Sequence, residues 1–121
     1  MPLVLLTAKY QHATFELPLT ADGTAAFSCT PISEPQIQEM TRKAMADAGY
    51  DAAIAADSLN RRLLKKHVTG WRGLHDLNGE EIPFSDEMID QLCDTEGLFM
   101  GTQVDRIRRI AREGRLEQEK N

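Results

Sequence analysis

No apolar run in this 121-residue chain approaches the roughly 20 residues that a membrane-spanning helix needs, so nothing in it reads as a helical span. The opening M-P-L-V-L-L-T-A has no basic leader region and is too short for a signal peptide. A cytosolic chain is the expectation. Cysteine is scarce: Cys29 and Cys93 are the only two, too few for a disulfide framework, and reduced, buried thiols are expected. Positive charge is in deficit as well, with a net charge of −5, which argues against wholesale coating of nucleic acid. His12, His67, His75 and the two cysteines fall at none of the C-x-x-C or H-x-x-x-H spacings of metal sites. Phosphate-cradling glycine loops and a Ser-His-Asp order are missing too. The expectation is a chain with no metal, no cofactor and no enzymatic activity.

What is present suits one domain with a single modest core. At 41% hydrophobic and 27% charged residues, the chain is too apolar for wholesale disorder. Leu3–Tyr10, Ala13–Leu19 and Thr24–Thr30 read as three strands of a small antiparallel meander over residues 1–30, with Ala25, Phe27 and Cys29 on one side of the third. Its open edge would permit a homo-oligomer. Ser33-Glu34-Pro35-Gln36 has the form of a capping box, and Ile37, Met40, Ala44, Met45 and Ala48 follow on one helical face up to Gly49. A second helix is predicted from near Asp51, re-capped at Asp57, to about His67, with Leu59, Leu63 and Leu64 as its apolar stripe. Two more follow, Asp86 to about Cys93 and Leu98 to about Glu113, separated by a break at Glu96-Gly97. Residues 114–121 are expected to fray. The fold class is therefore α+β: a meander, then a helical part over 33–113.

Within that helical part, residues 70–84 stand out. Trp71 lies between Gly70 and Gly73, residues that permit bends and close approach. Leu74, Leu77, Ile82 and Phe84 flank Asn78-Gly79, a pair suited to the positive φ angles of a type I′ hairpin. Pro83 confines the second strand to an edge or ends it. Ser85 then caps a helix, with Phe84 and Ile89 in staple positions. The expected form is an embedded ribbon with a buried indole, anchored by Gly70, Trp71, Gly73, Gly79, Pro83, Phe84 and Ser85.

The arrangement G-W-R-G-L-H-D-L-N-G-E-E-I-P-F-S resembles a pattern of tail assembly chaperones of long-tailed bacteriophages and prophages, carried here by Gly70, Trp71, Gly73, Asp76, Gly79, Ile82, Pro83, Phe84 and Ser85. The coarse order of a β segment followed by helices fits over most of the chain. The resemblance implies a chaperone of virion morphogenesis in the bacterial cytoplasm. It would bind the tape-measure protein and help bring tail-tube subunits to it.

Residues 105–121 hold six basic against four acidic side chains, a balance of +2 that leaves −7 for the remainder. A solvated face accounts for such mixed charge, and an acidic body with a basic end also suits oppositely charged partners. Met100, Val104, Ile107, Arg108 and Arg112 are the candidate client contacts on the last helix, and Met40, Met45 and Met88 join Met100 as possible groove residues or plain core filler. Arg61, Arg62, Lys65, Lys66 and Arg72 form a basic belt that suits either a solvated face or an acidic partner, and with so few aromatics it argues only weakly for nucleic acid. Asp76, Glu80 and Glu81 read as an exposed acidic turn rather than a catalytic carboxylate pair. Two alternatives stand beside the chaperone: a structural head-to-tail or tail-completion protein, and a small nucleic-acid-binding regulator.

Overall fold

The computed structural model describes residues 14–113. The strand expected over Leu3–Tyr10 and the fraying expected over 114–121 lie outside the described residues. In chain order the elements are β1 (Phe15–Pro18), β2 (Ala26–Cys29), α1 (Glu34–Asp47), α2 (Ala52–His67), β3 (Val68–Arg72), α3 (Asp86–Thr95) and α4 (Gly97–Glu113). The α+β class is observed, with a three-stranded antiparallel sheet in the order β1-β2-β3 and four helices.

The sheet differs from the expected meander in where its third described strand comes from. Val68–Arg72 pairs with β2, so the Trp71 segment belongs to the main sheet instead of an independent ribbon. The physical reason lies at the end of α2, where Val68 leaves the helix in an extended conformation and the chain passes straight into β3. Strand alternation then aligns two apolar rows across the pairings. Leu17, Phe27 and Trp71 form one row; Phe15, Cys29 and Val68 form the next, beside a register shift at Ser28/Cys29. Phe27 and Cys29 are fully buried, as their alternation predicts.

Helices cover this face. Ile37 of α1, Leu63 and Leu64 of α2, Ile89 of α3, and Met100, Val104, Ile107 and Ile110 of α4 complete a single core. Ala44, Ala55 and Leu59 make a smaller cluster between α1 and α2, against which Met40 and Met45 pack. Three of the four helices start on the local chemistry that the sequence shows. Ser33 and Gln36 form the reciprocal capping box. Asp51 accepts from the N–H groups of Ala53 and Ile54, both at 3.0 Å, and Ser85 from that of Met88 at 3.0 Å. No second cap arises at Asp57: α2 runs through it, and its carboxylate takes the Arg61 guanidinium at 3.0 Å.

The glycines flanking Trp71 are not equivalent. Gly73 has φ +76°, and a Cβ there would collide with the Thr24 carbonyl oxygen and lie 2.8 Å from Ala25 Cα. Gly70 has open space around the same position. Gly73→Ala is therefore expected to lower stability by about 2–4 kcal/mol, through backbone strain and overpacking together. Gly70→Ala should change it by less than about 1 kcal/mol. Urea unfolding followed by circular dichroism compares them, and equal losses would show that the close approach at Gly73 is not the determinant.

Candidate functional site

The residues carrying the phage-chaperone resemblance form one small clasp at the end of β3. Trp71 is half-buried, not fully buried as expected, and its indole Nε1–H donates to the Ile82 carbonyl at 2.8 Å. Its ring lies 5.8 Å from Phe27, tilted at 33°, and 4.9 Å from Phe84 in an edge-on arrangement at 86°, within the range where aromatic pairs attract beyond their area burial. The indole thereby joins the sheet to the segment that enters α3.

The ribbon across Asn78-Gly79 is shorter than expected. Its pairing is the single bridge His75↔Glu81, supported by the Ile82 N–H donating to the Leu74 carbonyl at 2.7 Å. The turn is not type I′, since Gly79 has positive φ and Asn78 does not. Gly79 N–H closes onto the Asp76 carbonyl at 3.0 Å, and Asp76 N–H donates to Glu80 at 2.9 Å. This is the three-residue loop with a left-handed glycine at its end. Asp76 causes the difference: its carboxylate accepts from the N–H groups of Asn78 and Glu80 at 2.9 and 3.0 Å, stabilising an Asx turn. The carboxylate is thus committed to backbone. Pro83 and Ser85 are exposed, and Leu77 projects fully into solvent.

The last-helix candidates are divided by the fold. Met100, Val104 and Ile107 are at most 1% exposed and belong to the core. Their helical stripe is the inward one, so they offer no surface to a client; Arg108 is half-buried and Arg112 exposed. Met40, Met45 and Met88 are half-buried, and with Met100 in the core the four do not assemble an exposed groove.

The basic belt is largely paired. Arg61 reaches Asp57, Asp90 and Asp94 at 3.0, 3.2 and 2.5 Å, and Lys65 reaches Asp90 at 2.8 Å, linking α2 to α3. The Lys65 ammonium and the Arg61 guanidinium hold the Asp90 carboxyl below its ordinary range. On the other side of α2, Arg62 pairs with Asp47 of α1 at 2.6 Å. Arg72 pairs with Glu16 at 2.8 Å across the sheet. A belt neutralised in this way presents a weak field to phosphates.

Three polar residues, Arg106, Gln103 and His67, hold roles that sequence reasoning does not assign. Arg106 passes from α4 to the Pro18 carbonyl at 2.5 Å and to buried Gln103 at 2.9 Å, joining α4 to the end of β1. Nearby, burial pushes the Cys29 thiol up to about 12, so it stays a neutral core group. His67 is buried where α2 meets β3, its Nδ1 3.1 Å from the Thr30 hydroxyl and its Nε2 without a hydrogen-bond partner. Periodicity gives the only signal for Gln103 and His67, placing the first beside the apolar stripe of α4 and the second one turn beyond Leu63. Among the described residues, no group of three His, Cys, Asp or Glu side chains converges to hold a metal ion, and no helix is long and apolar enough to cross a membrane.

Comparison with family models, with curated proteins and with solved structures gives no match to this chain.

Trp71→Phe is expected to lose about 1 kcal/mol, the contribution of the indole donor, and Trp71→Ala about 2–4 kcal/mol as the ring contacts go too. Denaturant titrations by circular dichroism measure both, and a loss below about 0.5 kcal/mol for the alanine variant would mean that the clasp contributes nothing. His67 supplies a pH dependence. Burial, then the neighbouring Lys66 charge, hold its imidazole below the ordinary value of 6.5. Between that lowered value and 6.5 the unfolded chain binds more protons than the folded one, so stability falls as pH drops below about 6.5. Melting temperatures from pH 8 to pH 5 should show this decline, flattened in His67→Gln; an unchanged slope in that variant would remove His67 as the cause.

Proposed function

We propose that this chain is a tail assembly chaperone of the long-tailed bacteriophage type, a non-enzymatic binding protein of the host cytoplasm. Its clients are the tape-measure protein and, through it, the tail-tube subunits. What carries the reading is the coincidence of the resemblance with one structural unit. Trp71, Ile82 and Phe84 share a hydrogen bond and a ring contact, Gly73 fits tightly beneath the β1–β2 turn, and Ser85 starts α3.

The reading also has to supply a surface for an apolar helical client. With Met100, Val104 and Ile107 in the core, that surface is sought among the exposed apolar side chains: Tyr50, Ile54, Leu77, Phe84, Leu98 and Phe99. The paired state of Arg61, Arg62, Lys65 and Arg72 favours a protein partner over nucleic acid.

Co-expression with the long helical tape-measure protein of the same gene cluster is expected to raise the soluble fraction of that client, and purified particles should lack the chain by mass spectrometry. An unchanged soluble fraction would overturn the chaperone reading. Stoichiometric presence in particles would replace it with a structural tail protein.

A further inference from the structure

Four of the six exposed large hydrophobic residues lie at one end of the helical layer. Tyr50, 74% exposed, stands in the α1–α2 turn, and Ile54, 58% exposed, in the first turn of α2. Leu98, 90% exposed, and Phe99 stand in the first turn of α4. Two observations bring these turns to the same level. Asp94, just before the α3–α4 junction, is held by Arg61 of α2, and a Cβ on Gly101 would come within 3.9 Å of the Asn60 amide. The start of α4 therefore sits beside the middle of α2, within about two turns of Ile54.

This end carries an excess of negative charge. Residues 44–60 and 91–105 contain no lysine, arginine or histidine. Asp47, Asp51, Asp57, Asp94 and Glu96 lie on these turns beside the apolar side chains; Arg61 and Arg62 reach in from farther along α2, and Arg42 of α1, itself paired with Glu39, lies near Tyr50. Five carboxylates against Arg61 and Arg62 leave −3, and the Glu39–Arg42 pair adds nothing to that balance. Tyr50 adds a further mark: it is the only described non-glycine residue with positive φ, at 64°, a conformation that disfavours a bulky side chain.

We infer that this acidic-rimmed apolar end docks a basic amphipathic helix of another protein. Charge complementarity selects that occupant over a second copy of the chain. Two copies meeting end to end through this surface would oppose carboxylates to carboxylates, which is repulsive. Meeting it head to tail, the basic half of α4 brings Arg108 and Arg112 but no exposed large hydrophobic residue among the described ones. The remaining exposed hydrophobics, Leu77 and Phe84, sit beside Asp76, Glu80, Glu81 and Asp86 and carry the wrong sign. A helix with lysines or arginines flanking an apolar stripe satisfies both the apolar area and the rim.

The inference rests on the reading of the chain as a protein-binding module, and names the surface and the chemistry of what it binds. Its test uses the full chain and a synthetic Leu/Lys peptide patterned as an amphipathic helix, with a Leu/Glu peptide of the same pattern as control. Amide NMR shifts are expected to concentrate in residues 47–57 and 94–101, and binding should weaken as salt rises. The exposed double variant Ile54→Ser/Leu98→Ser, and separately Tyr50→Asn, whose side chain suits a left-handed φ, should keep the native melting curve. The double variant should weaken binding by about tenfold or more. Equal binding of the Leu/Glu peptide, shifts centred elsewhere, unchanged affinity in the double variant, or a concentration-dependent dimer that occupies this end would each overturn the inference. A chain that solubilises its long client while the Leu/Lys peptide leaves this end unperturbed would keep the chaperone reading and discard this surface.

Discussion

The pairing of Phe27 with Trp71 across β2 and β3 is the contact on which the arrangement of this molecule turns. It brings together segments more than 40 residues apart, and between them lie both helices of the α1–α2 hairpin. Once β3 is seated, α2 must end beside the sheet, the indole must meet Phe84, and the chain must pass under Thr24 at Gly73. Each of these follows from a strand whose register is held by one buried face, since a slip by one residue would turn Trp71 and Val68 outward.

Around that pairing, α2 serves as the shared wall. Its buried side chains Leu63 and Leu64 join the main core, and Ala55 and Leu59 join the cluster facing α1. On its polar side, successive residues Arg61 and Arg62 point to different neighbours, α3 and α1 respectively. Exposed ion pairs contribute little stability individually. Here they tie α2 to α3 and to α1, and they leave the acidic turns beyond them only partly neutralised. The charge asymmetry of the helical layer is thus a product of how its core is held together.

Much of the helical part is legible along the chain because its signals are local. Ser33 with Gln36, Asp51 and Ser85 act within three residues of themselves, and Gly49 and the Glu96-Gly97 break act within one turn. The inward stripe of α4 follows from spacing alone. The assignment of Met100, Val104 and Ile107 to a client failed for a related reason: an apolar stripe looks the same whether a partner or the chain's own core covers it. The ribbon is shorter than its flanking apolar residues suggest, because Asn78-Gly79 favours one turn and Asp76, two residues earlier, enforces another.

By itself the sequence determined the α+β class, the four helices with the caps of α1, α2 and α3, and the inward choice of Phe27 and Cys29, because capping and periodicity depend on neighbours a few residues apart. Only the tertiary structure decided that β3 completes the sheet, that Arg61, Arg62 and Arg72 are paired, that His67 and Gln103 are buried, and that Tyr50, Ile54 and Leu98 gather at an acidic end. These are matters of which distant surfaces meet. The energy of such a meeting belongs to two segments at once, so neither segment read alone discloses it.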